Sequence, residues 1–193
     1  MIRRFETVNQ MIPMPGSMIP LAVVMVFALS LQACAPASTG LDGRWKLVPE
    51  QSSSVDPWSS VVLDISRSPD SISIKKTYSA GNAFDRRIDL MVVNTKGMEQ
   101  VVPVSPGRWL GQVSMGVYYG PGATRTVKAR WSENGELIME IRETVQTAQG
   151  ESLIERKQTF AIQSDGTLKI REERSTRSGV LMNWIFKHER MEG

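Results

Sequence analysis

The sequence predicts an all-β domain, an antiparallel meander of about 8–10 strands that closes or nearly closes into a barrel. Apolar and polar residues alternate along many short stretches, and no stretch keeps apolar residues at helical spacing for three turns. Turn-forming pairs such as Asn134-Gly135 and Asp165-Gly166 separate these stretches. Consecutive hairpins make neighbouring strands antiparallel, and so many strands must curl and close or split into two sheets.

The chain begins with a segment typical of secretion signals. Arg3 and Arg4 precede an almost unbroken apolar run over residues 21–31. This run is too short to cross a bilayer core, which needs about 20 residues. Residues 1–33 are therefore predicted to be a signal peptide.

The apolar run ends in Leu31-Gln32-Ala33-Cys34, which resembles the lipobox of bacterial lipoproteins. The resemblance implies cleavage between Ala33 and Cys34 and attachment of diacylglycerol to the Cys34 thiol. Ala35 in the following position favours the outer membrane, with the protein facing the periplasm. Residues 34–42 then form the lipidated cysteine and its tether, and residues 43–193 form the barrel domain. The alternative is a buried cysteine at the end of a core segment.

Composition excludes some classes of protein. The apolar fraction of 41% is ordinary for a globular chain. Lys and Arg number 23 against 20 Asp and Glu, and the two signs are interleaved along the chain. No basic patch is visible, so a nucleic-acid partner is not expected.

Four stretches show the alternation most clearly, because apolar residues recur there at a spacing of two. Such strands have one buried face and one solvated face. The apolar faces are Ile72, Ile74 and Tyr78; Leu137, Met139 and Ile141; Leu168 and Ile170; and Met182, Trp184 and Phe186.

Gly43-Arg44-Trp45 opens the first predicted strand, and this Gly-x-Trp pattern resembles the lipocalin family. The resemblance implies a lipocalin-like barrel in which Trp45 packs across a closed base. It also implies a basic residue over the ring near the end of the last strand, where Arg190 is the first candidate and Lys187 the second. The alternative is a strand-initiating glycine and a core tryptophan in another β-sandwich or open sheet.

The sequence contains no recognisable catalytic or metal-binding centre. His188 is the single histidine, which excludes a His-rich zinc site, and it is interpreted as a partly buried histidine at the barrel rim. Asp85 and Asp89, which share a strand face, and the adjacent pair Glu172-Glu173 are interpreted as solvated surface residues. With Cys34 committed to lipid, we expect neither an enzyme nor a bound cofactor.

A pocket is predicted from residues inside the barrel. Along Ile154–Ile162, the face that carries apolar residues also carries polar ones, which need partners if that face points inward. The alternative is that the aromatic residues only fill the core. The candidate pocket residues are Trp109, Tyr118, Tyr119, Trp131, Arg156, Gln158 and Trp184.

These observations favour an envelope lipoprotein that binds or carries a small hydrophobic or amphiphilic ligand. The alternative is a non-enzymatic protein-interaction module of the envelope without a ligand cavity. A carrier is expected to have a cavity of some hundreds of Å³. An interaction module is expected to have a filled barrel and an exposed apolar patch.

Overall fold

A computed structural model describes residues 40–55, 57–81, 86–105, 107–108, 118–147, 150–175 and 179–189. By its contacts the chain divides into two units, Met1–Ala35 and Pro36–Gly193, and every described residue belongs to the second. The proposed signal peptide, Ala33 and Cys34 lie outside the described residues, as do Asp85, Trp109 and Arg190.

The described residues are almost entirely β-structure, in which side chains alternate between a buried and a solvated face. One 3₁₀ turn, Pro49–Gln51, interrupts them. The strands are β1 Gly43–Leu47, β2 Ser60–Ser68, β3 Ser71–Ser79, β4 Arg86–Asn94, β5 Lys96–Pro103, β6 Gly107–Arg108, β7 Tyr118–Tyr119, β8 Thr124–Trp131, β9 Leu137–Thr147, β10 Gly150–Ile162, β11 Leu168–Arg174 and β12 Val180–His188.

The strands form one antiparallel sheet that curls into a nearly closed barrel, which confirms the predicted fold class. The ten longer strands follow the order β4-β3-β2-β1-β12-β11-β10-β9-β8-β5. The first and last strands of this path, β4 and β5, lie side by side without a shared ladder and form the seam of the barrel. Gly135 and Gly166 adopt positive φ at two of the predicted hairpin turns.

One end of the barrel, here called the base, is closed by apolar packing. Trp45 is buried there, and its indole N–H donates a hydrogen bond to the carbonyl oxygen of Leu41 at 2.9 Å. Phe160, Leu137 and Leu168 are fully buried in the same core. The described core residues lie between Leu41 and Phe186, within the compact unit Pro36–Gly193.

The residue beside Trp45 on the last strand is His188. The two rings meet edge to face with centroids 4.9 Å apart, and His188 is exposed on its other side. Gly43 makes room for this contact, because a Cβ at that position would lie 2.3 Å from the imidazole Nε2. Lys187, the second candidate for this place, is exposed and lies opposite Lys46 in the ladder between β12 and β1.

The opposite end of the barrel, here called the mouth, is bordered by the segment between β1 and β2. The Ser52 hydroxyl accepts a hydrogen bond from the Ile185 N–H at 2.9 Å, and the Ser53 hydroxyl accepts one from the Asn183 N–H at 2.9 Å. These bonds attach the segment to β12. Trp58, further along the segment, is buried with its ring 5.7 Å from that of Tyr78.

Candidate functional site

The inward face of the barrel changes character between the base and the mouth. Above the apolar base, several strands place charged or amide side chains on the face that carries the core residues, and we call this set the polar layer. Most of its side chains are buried, so each needs a partner inside the barrel. The polar layer consists of Lys76, Asp89, Arg125, Glu143, Arg156, Gln158, Glu172 and Arg174.

Three of the four cations in the polar layer have a carboxylate partner. Arg125 binds Asp89 through two hydrogen bonds of 3.0 and 2.6 Å. Arg174 Nε donates to Glu172 at 2.6 Å. The remaining pair is Arg156 with Glu143. Buried pairs of this kind lose much of their hydration, and good hydrogen-bond geometry offsets part of that cost.

The Asp89–Arg125 pair also closes the seam. Asp89 belongs to β4 and Arg125 to β8, two strands that share no ladder. Burial alone would raise the pKa of Asp89, but the hydrogen bond and positive charge of Arg125 outweigh it and leave that pKa below its ordinary value. The carboxylate is therefore ionised at neutral pH and holds the two sides of the seam together from inside.

Lys76 is the cation that has no carboxylate partner. Its Nζ donates to Gln158 Oε1 at 3.3 Å, and the Gln158 amide in turn donates to Glu172. Its Nζ also lies 5.8 Å from the centroid of the Phe160 ring. Among the described residues, no carboxylate oxygen lies within 4.0 Å of this Nζ.

Burial lowers the pKa of Lys76 from its ordinary 10.5 to about 8. The carboxylates of Asp89 and Glu172 act in the opposite direction without restoring the ordinary value, while the nearby guanidinium groups of Arg156 and Arg125 lower the pKa further. At neutral pH the side chain is still mainly protonated. The barrel interior therefore holds an ammonium group at a cost in free energy.

A cavity separates the polar layer from the mouth. The cavity has a volume of about 50 Å³, and its free space including the open mouth is about 570 Å³. At roughly 10–15 Å³ for each water, the enclosed part holds only a few solvent molecules or a small polar group. Its polar lining comprises Lys76, Tyr78, Asp89, Arg125, Arg156, Gln158 and Glu172, and its apolar lining comprises Leu47, Val55, Val61, Leu63, Met91, Ile141, Ile170, Trp184 and Phe186.

Several hydrogen-bond donors of the cavity lining have no acceptor among the described residues. They are the indole N–H of Trp184 and the Nε–H groups of Arg125 and Arg156, all buried. Lys76 adds to them, because its ammonium has three N–H groups and a single hydrogen-bond acceptor. Glu143 Oε2, on the partner of Arg156, is a buried acceptor that has no donor among the described residues, so unpaired donors still outnumber unpaired acceptors here.

The predicted pocket residues divide into several groups. Arg156, Gln158 and Trp184 line the cavity as expected. Tyr119 is buried in a separate apolar cluster with Val104 and Val145. Of the other three, Trp109 lies outside the described residues. Tyr118 is exposed, and Trp131 packs outside the cavity with the Arg67 guanidinium 4.6 Å from its ring centroid.

The interpretation of Asp89 and Glu172 as solvated surface residues was wrong. Glu172 is 1% exposed and Asp89 faces the cavity, whereas Glu173 is partly exposed on the outer face. The alternation itself carried the signal. Glu172 follows Leu168 and Ile170 at the same spacing of two, and Lys76 follows Ile72 and Ile74 in the same way.

Other kinds of site receive no support in the part of the chain that the structure describes. No group of three or more His, Cys, Asp or Glu side chains there has an arrangement that holds a metal ion. No helix among the described residues is long and apolar enough to span a bilayer.

Comparison with known proteins does not place the chain in a family. No protein-family model matches it, and no curated protein matches its sequence significantly.

Proposed function

We propose that this chain is a lipid-anchored protein of the bacterial cell envelope whose barrel binds a small amphiphilic molecule. The observation that carries the binding proposal is the cavity between the apolar base and the mouth, whose lining is part charged and part apolar. Ligand sites in proteins combine an apolar lining with a few convergent polar groups in this way. The anchoring proposal rests on the lipobox-like residues 31–34.

The size of the cavity determines how such a molecule is held. Pockets that enclose a drug-sized ligand have volumes of roughly 300–1,000 Å³. The cavity here has a volume of about 50 Å³, smaller than the some hundreds of Å³ expected for a carrier. It is enough for a headgroup and too small for an acyl chain. The ligand therefore enters with its polar end first, and its apolar part lies towards the mouth beside Val55 and Trp184.

A second candidate function, docking on another envelope protein, is favoured by the outer face of β4. Ile88, Leu90 and Val92 are 40–55% exposed there and form an apolar row. β4 pairs with β3 along one edge, and along its other edge it forms no ladder with the described residues. Exposed apolar patches of this kind mark sites of protein interaction.

Native mass spectrometry of residues 40–193, secreted into the periplasm and purified without detergent, distinguishes the two candidates. A bound species of lipid-like mass supports the amphiphile-binding proposal and identifies the ligand class. A mass equal to that of the polypeptide, unchanged after incubation with an envelope lipid extract, contradicts it and favours the docking module.

A further inference from the structure

We infer that the ligand carries a carboxylate and that this carboxylate binds Lys76 in the cavity. The inference rests on the proposed function and specifies the chemistry of the headgroup. It follows from the charges inside the barrel, from the unpaired donors and from the volume of the cavity.

The charges of the polar layer leave one cation, Lys76, without a carboxylate. Three carboxylates of the polar layer each bind a guanidinium, so these three pairs balance in charge. The ammonium of Lys76 remains, bonded only to the neutral amide of Gln158. A single negative charge in the cavity therefore balances the polar layer, whereas a cationic headgroup would meet an existing excess of positive charge.

The donors are suited to a carboxylate. A carboxylate has two oxygens that each accept about two hydrogen bonds, and it donates none. The cavity lining offers two further N–H groups of Lys76 and the unpaired indole N–H of Trp184. An alcohol or amide headgroup satisfies fewer of these donors, and it leaves the charge of Lys76 unbalanced.

The stability cost of Lys76 agrees with a role in binding. Buried lysines without a carboxylate partner are rare, because the charged form loses its hydration. Methionine at this position would fill similar volume without the charge. Positions that break a rule of stable folding are expected at functional sites.

Isothermal titration calorimetry of residues 40–193 tests the inference with four probes below their micellar concentrations. Dodecanoate, dodecanol and dodecyltrimethylammonium share a chain length and differ in headgroup charge, and butyrate supplies the carboxylate without the long chain. We expect dodecanoate to bind on the order of tenfold to a hundredfold more tightly than dodecanol, the range of a hydrogen-bonded charge. Dodecyltrimethylammonium should bind more weakly still.

Lys76→Met tests the residue, and Lys75→Met is its matched control. Lys75 is the preceding residue on β3 but points to solvent, with a weak ion pair to Asp64 at 3.9 Å. We expect Lys76→Met to abolish the preference for dodecanoate over dodecanol, and Lys75→Met to retain it. Trp184→Phe keeps an aromatic ring and removes the indole N–H, and it should weaken dodecanoate binding while leaving dodecanol binding unchanged.

The outcomes separate the two proposals. Equal binding of dodecanoate and dodecanol, or an unchanged preference in Lys76→Met, overturns the carboxylate inference and leaves amphiphile binding in place. Binding of butyrate without any binding of the dodecyl probes supports the carboxylate site and contradicts an amphiphilic ligand. If no probe binds, both proposals fail.

Discussion

Replacing Lys76 with Met is expected to change how the stability of the barrel depends on pH. The ammonium has a pKa of about 8 in the folded protein and 10.5 when solvated. At about 1.4 kcal/mol per pKa unit, this difference corresponds to roughly 3 kcal/mol of destabilisation by the charged lysine.

The sign follows from proton binding. Between about pH 8 and pH 10.5, the unfolded chain holds a proton on Lys76 that the folded chain has released. The free energy of unfolding of the wild-type protein therefore rises with pH in this window, relative to the variant. Below about pH 8 the full penalty is present, and Lys76→Met removes it. The variant also leaves the Gln158 carbonyl without its donor, at a cost of about 1–3 kcal/mol.

The expected result near pH 7 is a variant that is as stable as the wild type or more stable by up to about 2 kcal/mol. Urea unfolding of both proteins, followed by tryptophan fluorescence at about pH 7 and about pH 10, measures the effect. Lys75→Met, on the solvated face, should change stability by no more than about 0.5 kcal/mol at either pH. Parallel pH dependences of the wild type and Lys76→Met would refute the reasoning, because they require a lysine of ordinary pKa.

Three further predictions concern the seam, the base and the anchor. Asp89→Asn leaves the Arg125 guanidinium buried without its carboxylate, so urea unfolding should show a free energy of unfolding lower by about 3–5 kcal/mol. A decrease below about 1 kcal/mol contradicts a pair that closes the barrel. Trp45→Ala removes the ring that closes the base and should cost about 3–5 kcal/mol in the same assay, whereas a neutral result removes the basis of the lipocalin comparison. Cys34→Ser should move the full chain out of the membrane fraction and leave the signal uncleaved, and a variant still labelled by radioactive palmitate contradicts lipid attachment.

The fold was predictable because its signals are local. Alternation identified the buried faces of β3, β9, β11 and β12, and turn residues such as Gly135 marked the hairpins. The burial of Trp45 followed from its place in the Gly-x-Trp pattern. The contact with His188 was not foreseen, because the resemblance pointed to Arg190 and Lys187.

The candidate site was harder to predict, because it depends on partners that are distant in sequence. Arg156 and Gln158 were recognised from the alternation of β10, and both line the cavity. Asp89 looked like a surface residue, since its partner Arg125 lies on a strand reached only through closure of the barrel. In the sequence, an inward charged residue looks like a solvated one. It is recognised only when the spacing of two is continued beyond the last apolar residue of the strand.

A crystal structure of residues 40–193 with dodecanoate tests the central claim most directly, because it places the headgroup. The account predicts a carboxylate oxygen within hydrogen-bond distance of Lys76 Nζ and the Trp184 indole N–H, with the acyl chain towards the mouth beside Val55. A carboxylate in solvent with the chain outside the barrel would contradict it.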